Sequence, residues 1–139
     1  MPLISRWKIE RLEGYNNHEM VSFFYDKKTG LRGFIAIHNT NLGPATGGTR
    51  YWHYDKEEDA LEDVLKLSSA MTYKCALANL PYGGGKAVIM ADSKSPKNKK
   101  FLFQYAKKVN LLNGKFYTGG DVGMLEKDCK ELNKVFFIN

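Results

Sequence analysis

Residues 79–89, NLPYGGGKAVI, decide how this chain is put together. Three glycines stand directly before a lysine, and that lysine opens KAVIM, residues 86–90, a short apolar strand. A lysine is normally a surface residue; this one is set between a backbone turn and the core. GGGK is not a phosphate-binding P-loop, which needs a glycine where Leu80 stands and a Ser or Thr where Ala87 stands. Nor is it a dinucleotide fingerprint, because no GxGxxG opens a helix here. The glycines are expected to let the backbone turn sharply or approach a ligand closely.

Upstream of this stretch, residues 55–79 predict a helix without an interrupting proline. Asp55 is placed to cap it, and Glu57, Glu58 and Asp59 suit its first turn. Before it comes TNLGPATGGTRYW (40–52), a Gly/Pro-rich loop leading into a short strand from Gly48 to Trp52. VSFFYDKKTGLRGFIAIHN predicts a β-hairpin, with strands at 21–25 and 31–38 and turn chemistry from Asp26 to Gly30. Downstream, ADSKSPKNKK is a polar loop, and 97–112 predicts a helix with Phe101, Leu102, Tyr105, Ala106, Val109 and Leu112 on one side. KFYTGGDVG is a strand entering a glycine loop, and 124–134 a last short helix. Strands alternating with helices imply one α/β domain, a mixed β-sheet flanked by helices whose first part is antiparallel.

Composition narrows the function classes. The chain is long enough to bury a real core, and 43% of its 139 residues are hydrophobic. A net charge of +6 favours acidic partners without identifying one. KSPKNKK is explained by a solvated loop, so no nucleic-acid partner is expected. There is no apolar run of membrane-spanning length and no signal-peptide core at the N-terminus. Cys75 and Cys129 form no CxxC pair, so two reduced thiols in a cytoplasmic protein and no metal site are expected.

Three charged residues stand in unusual settings. Lys74 shares a face of the 55–79 helix with Val64, Leu67, Met71 and Ala78. It either snorkels to solvent from the stripe's edge or holds an anion at the floor of a pocket. Lys86, poorly solvated and near another cation, would have a lowered pKa and could act as a base near neutral pH; a surface lysine on a tight loop is the alternative. Asp121, in TGGDVG, is either a turn aspartate or a third member of the same site.

GPATGGTRYW, EDALEDVLKLSSAMTYKCALANLPYGGGKAVI and YTGGDVG resemble, in order and spacing, the substrate domain of the leucine/phenylalanine/valine dehydrogenases of the glutamate dehydrogenase superfamily. The likeness runs from about Phe23 to Gly123. It implies the N-terminal domain fold of an amino-acid dehydrogenase, with residues 1–139 as a substrate-binding and dimerisation domain. It gives Lys74 the substrate α-carboxylate, makes Lys86 the catalytic lysine and Asp121 the catalytic aspartate. Gly47 and Gly48 match the paired glycines beside the substrate, and Met71 an apolar residue near its side chain. The implied reaction passes the substrate Cα–H as hydride to NAD; the lysine then assists water attack on the imine, giving a 2-oxo acid and ammonia.

Three departures accompany the resemblance. Thr46 stands where the family usually carries an apolar residue, commonly leucine, against the substrate side chain. TGGDVGM lacks both the acidic residue often found before the aspartate and the threonine that usually follows DVG. The NAD-binding domain of the family follows this one, and nothing in residues 1–139 replaces it, so no cofactor-binding residues are expected here. The leading expectation is therefore the N-terminal domain of an NAD-dependent dehydrogenase acting on an apolar L-amino acid. The alternative is a stand-alone, non-catalytic amino-acid-binding or oligomerisation domain. The apolar run Val135–Ile138 at the chain end, and the family's sheet-edge pairing, lead us to expect a homo-oligomer.

Overall fold

The computed structural model describes residues 8–136. Strands β1 (Met20–Asp26) and β2 (Leu31–Asn39) form the expected antiparallel hairpin. Its turn closes with the Gly30 N–H donating to the Asp26 carbonyl over 2.8 Å. Gly30 there has a φ of +74°, a conformation that glycine adopts at little cost. The next two strands, β3 (Ala45–Thr46) and β4 (Thr49–Trp52), are halves of one strand broken at Gly47–Gly48. Both run parallel to β5 (Gly83–Met90), and the break leaves the register intact: Ala45 faces Gly83 and Thr49 faces Ala87. β2 flanks β5 on its other side, antiparallel, and β6 (Phe116–Tyr117) closes the far edge beside β3. Among the described residues the sheet thus has six strands, mixed in direction.

The glycines of GGGK do not turn. Gly83, Gly84 and Gly85 lie inside β5, buried, and none has a positive φ. They are needed for space. A Cβ on Gly84 would collide with the hydroxyl and backbone nitrogen of Thr72, and one on Gly85 would press on Phe116 at 2.9 Å. As the central strand covered on both faces, β5 is an almost uninterrupted apolar run.

Helix α1 (Glu57–Leu77) covers one face and helices α2 (Lys99–Asn110) and α3 (Glu126–Phe136) the other. α2 is capped by Asn98, whose side chain accepts from the Phe101 N–H over 3.0 Å. Asp55 does not cap α1. The N-cap is Lys56, which makes no side-chain capping bond, and the Asp55 carboxylate lies 3.5 Å from His53 Nε2 instead. The buried face of α1 is Ala60, Leu61, Val64, Leu65, Ser68 and Cys75. That face is rotated from the expected stripe, so Met71 is half-buried and Lys74 and Ala78 are exposed. The chain end also differs from expectation: Val135 and Phe136 belong to α3 and pack, partly buried, against the core. Phe137 and Ile138 lie outside the described residues.

Candidate functional site

Side-chain alternation builds the site. Along β5, Ala87 and Ile89 enter the core beneath α2, whereas Val88 enters the core beneath α1. Gly84 and Lys86 therefore face α1. The intact register sets Gly48 beside Lys86 and Arg50 beside Val88 on the same face. After β6 the chain returns through Thr118–Gly120, where Gly120 bridges to Thr49. Asp121 is thereby laid over Gly48, whose added Cβ would stand 2.6 Å from the Gly120 carbonyl and 3.0 Å from the Asp121 Cβ.

Lys86 is 6% exposed, and its Nζ lies 3.5 Å from Asp121 Oδ2. A buried ammonium is costly to keep charged. Burial lowers the Lys86 pKa, Asp121 opposes that, and the Arg50 and Lys74 charges add to it, Lys74 least. Both expected causes, poor solvation and a nearby cation, act in the expected direction, and desolvation leads. Burial raises the Asp121 carboxyl, but the Arg50 hydrogen bond and the Lys86 and Arg50 charges outweigh it and hold it below the ordinary carboxylate value.

Arg50 is the residue that sequence reasoning missed. Its Nε donates to Asp121 Oδ2 over 2.8 Å and its Nη1 to Asp63 Oδ2 over 3.3 Å, while the Tyr54 hydroxyl donates to the same Asp63 oxygen over 2.5 Å. Lys86, Asp121, Arg50, Asp63 and Tyr54 form one chain of charges and hydrogen bonds. A signal existed. In a strand starting at Gly48, position 50 must share the face of Gly48.

The other expected residues fall around this chain. Met71 lies over Gly47, its Cγ 3.3 Å from where a Cβ would stand; that Cβ would also collide with the Gly85 carbonyl. Thr46 is half-buried and its hydroxyl donates to the Tyr117 carbonyl over 3.3 Å. Lys74 is exposed and makes no ion pair among the described residues, yet its charge is felt at Lys86. It is free to meet an anion from solvent. Beside Arg50 a cleft of about 540 Å³ is lined by Asp59, Glu62 and Asp63 together with the cations Arg50 and Lys66. Among the described residues no group of His, Cys, Asp and Glu could hold a metal ion, and no helix is long and apolar enough to cross a membrane.

Residues 17–135 match the family model described as Glu/Leu/Phe/Val dehydrogenase, dimerisation domain. The chain is 50% identical over 119 residues to the phenylalanine dehydrogenase of Caldalkalibacillus thermarum (strain TA2.A1), a match covering 86% of this chain and 32% of that one. It is 48% identical over 117 residues to the leucine dehydrogenase of Geobacillus stearothermophilus, covering 84% and 32%. The crystal structure of L-tryptophan dehydrogenase from Nostoc punctiforme superposes with a TM-score of 0.83 at 41% identity, covering 97% of this chain and 38% of that one. The chain spans about a third of the length of the curated relatives it matches.

Proposed function

The chain belongs to the family defined by the Glu/Leu/Phe/Val dehydrogenase dimerisation domain, and on that premise we propose that it is the substrate-binding part of an enzyme that deaminates an apolar L-amino acid oxidatively, giving a 2-oxo acid and ammonia. The observation that carries this reading is the buried Lys86 ammonium 3.5 Å from Asp121, across the bare backbone of Gly48. Lys74, exposed at the mouth of the site, binds the substrate carboxylate as a point charge. Burial makes a neutral Lys86 amine available, which takes a proton from the water attacking the imine carbon. Asp121, kept ionised by Arg50, stabilises the ammonium that results. Gly47 and Gly48 leave the reacting carbon room to approach, and Met71 and Thr46 line the space for the substrate side chain.

The oxidation requires NAD, which these residues do not fit. Among the described residues the glycine runs lie within β5, between β3 and β4, or in the Gly119–Gly120 loop, and none opens a helix as a dinucleotide phosphate site does. NAD is assigned to another domain of the parent enzyme, a cytoplasmic homo-oligomer. The 139 residues alone should turn over neither L-leucine nor L-phenylalanine with NAD. In the complete enzyme Lys86→Ala should abolish turnover with the fold intact, and Lys74→Ala should mainly raise KM. A near-normal kcat in Lys86→Ala would overturn the assignment.

A further inference from the structure

Asp121 sits on a loop whose two halves are held differently. The near half is fixed by backbone: the Thr49 and Tyr51 N–H groups of β4 donate to the Gly119 and Val122 carbonyls over 2.8 and 2.9 Å. The far half is fixed by a lysine from another part of the chain. Lys97, in the segment between β5 and α2, donates from Nζ to the Gly123 carbonyl over 2.5 Å. The same ammonium pairs with Asp128 Oδ2 at 2.6 Å and lies 4.6 Å from the centre of the Tyr51 ring. Asp128, itself 3% exposed, accepts the Leu125 N–H over 2.9 Å with that same oxygen. Gly123 has a φ of +81°, and a Cβ there would collide with the Tyr51 carbonyl, so the loop passes close to β4 at this point.

We propose that Lys97 is a positioning residue for Asp121: clamped by Asp128, its ammonium seats the Gly123 carbonyl and so sets the end of the loop from which the Asp121 carboxylate reaches Arg50 and Lys86. A lysine 24 positions before Asp121, outside the chain of contacts from Lys86 to Tyr54, acquires a part in the site through one carbonyl. A fixed carboxylate matters because oriented charges act without reorganising as the reaction proceeds. The inference rests on the reading of Asp121 and Lys86 as a working pair.

The test follows the Asp121 carboxyl and the Lys86 amine by NMR titration in the 139-residue chain. Lys97→Met alone buries an unpaired Asp128 charge, which destabilises any fold. The informative variant is therefore Lys97→Met with Asp128→Asn. It removes one charge of each sign and keeps an acceptor for the Leu125 N–H, so neither net charge nor the start of α3 is lost. Positioning expects the Asp121 pKa to rise towards its ordinary value as its contacts loosen, with stability largely kept. Val109→Ala, a cavity in α2 of ordinary cost, should leave both titrations unchanged. Unchanged Asp121 and Lys86 titrations in the folded double variant would overturn the role of Lys97. A separate control addresses the pair itself: if Lys86→Met leaves the wild-type Asp121 titration unmoved, it is the underlying reading of the site that fails.

Discussion

Arg50, not Lys86, makes the shorter bond to Asp121: its Nε stands 2.8 Å from the carboxylate, against 3.5 Å for the Lys86 ammonium. The carboxylate therefore has a permanent partner that never deprotonates, and it stays ionised whether or not Lys86 carries a proton. That is what a base needs beside it if it is to change charge during a reaction.

Arg50→Met tests this division of labour. Asp121 loses the hydrogen bond that most depresses its pKa, so its titration should move upward. A carboxyl with a depressed folded-state pKa contributes stability above its unfolded value, near 3.8, and loses it as pH falls through the folded value. The variant should begin acid unfolding at higher pH than the wild type. Lys86, freed of the Arg50 charge that lowers it, should titrate higher, moving the acid limb of kcat/KM in the complete enzyme to higher pH. A thermal-unfolding series across pH 2–6, with NMR titration of the two groups, checks both; unmoved titrations would deny Arg50 this role.

Lys86→Met carries the opposite sign for stability. The folded-state pKa of Lys86 lies below 10.5 because burial disfavours the ammonium. Below that folded value the charge costs stability, and the cost fades as pH rises towards 10.5. Asp121 retains Arg50 after the substitution, so methionine of similar length should stabilise the chain by about 1 kcal/mol at pH 7, roughly 3–6 °C in Tm. The gain should shrink as pH rises from the folded value towards 10.5. An inactive but more stable variant is the signature of a site residue kept at a cost; a lower Tm at every pH would contradict it.

Gly84 and Gly119 make a matched pair. A Cβ on Gly84 would strike Thr72 of α1, backbone included, whereas one on Gly119 meets nothing within 4 Å. Gly84→Ala should cost about 1–3 kcal/mol by overpacking and, by pushing α1 outward, displace Met71 and Lys74. Gly119→Ala should be close to neutral. Equal denaturant midpoints for the two would show that α1 has room to yield.

These glycines also show where sequence reasoning stopped. The hairpin is legible because its strand-forming runs and turn residues agree, and α2 because its apolar residues fall on one side; its Asn98 cap is seen only in the structure. GGGK was misread because glycine meets two needs, backbone freedom and lack of volume, which sequence does not distinguish. Only Thr72 and Phe116, distant in sequence, reveal the second. Lys86 and Asp121 stand out by their settings and by the resemblance, and the structure brings them to 3.5 Å from each other. Arg50 was passed over because an arginine in a strand is unremarkable until the strand beside it is known. Lys74 was placed on the apolar stripe because Val64, Leu67 and Met71 fit its spacing, but the sheet takes the neighbouring face of α1 instead.

Under the proposed function, Thr46 is expected to bear on which amino acid fits. It shares the face of Gly84 and lies half-buried between β5 and β6, its hydroxyl spent on the Tyr117 carbonyl. A methylene-scale change in an apolar pocket is worth roughly 1–3 kcal/mol. In the complete enzyme Thr46→Leu should shift kcat/KM towards branched aliphatic substrates by on the order of tenfold. An unchanged ranking of L-leucine against L-phenylalanine would place residue 46 away from the substrate side chain.

Self-association is expected at the sheet edge. Among the described residues β1 pairs only with β2, and it exposes Phe23 and Tyr25 at 49% and 44%, with the Arg32 guanidinium 5.5 and 4.8 Å from their ring centres. An open edge strand with apolar side chains invites pairing with a second copy across a two-fold axis. Val135 and Phe136 are folded against the core and offer much less. Light scattering over a concentration series should show a dimer that Phe23→Lys with Tyr25→Lys weakens, since like charges then meet across the axis. The edge must compete with water for its hydrogen bonds, so dissociation should appear at low concentration before it appears at high salt. A strict monomer at high micromolar concentration would refute the pairing, and a dimer indifferent to the two lysines would move it away from β1.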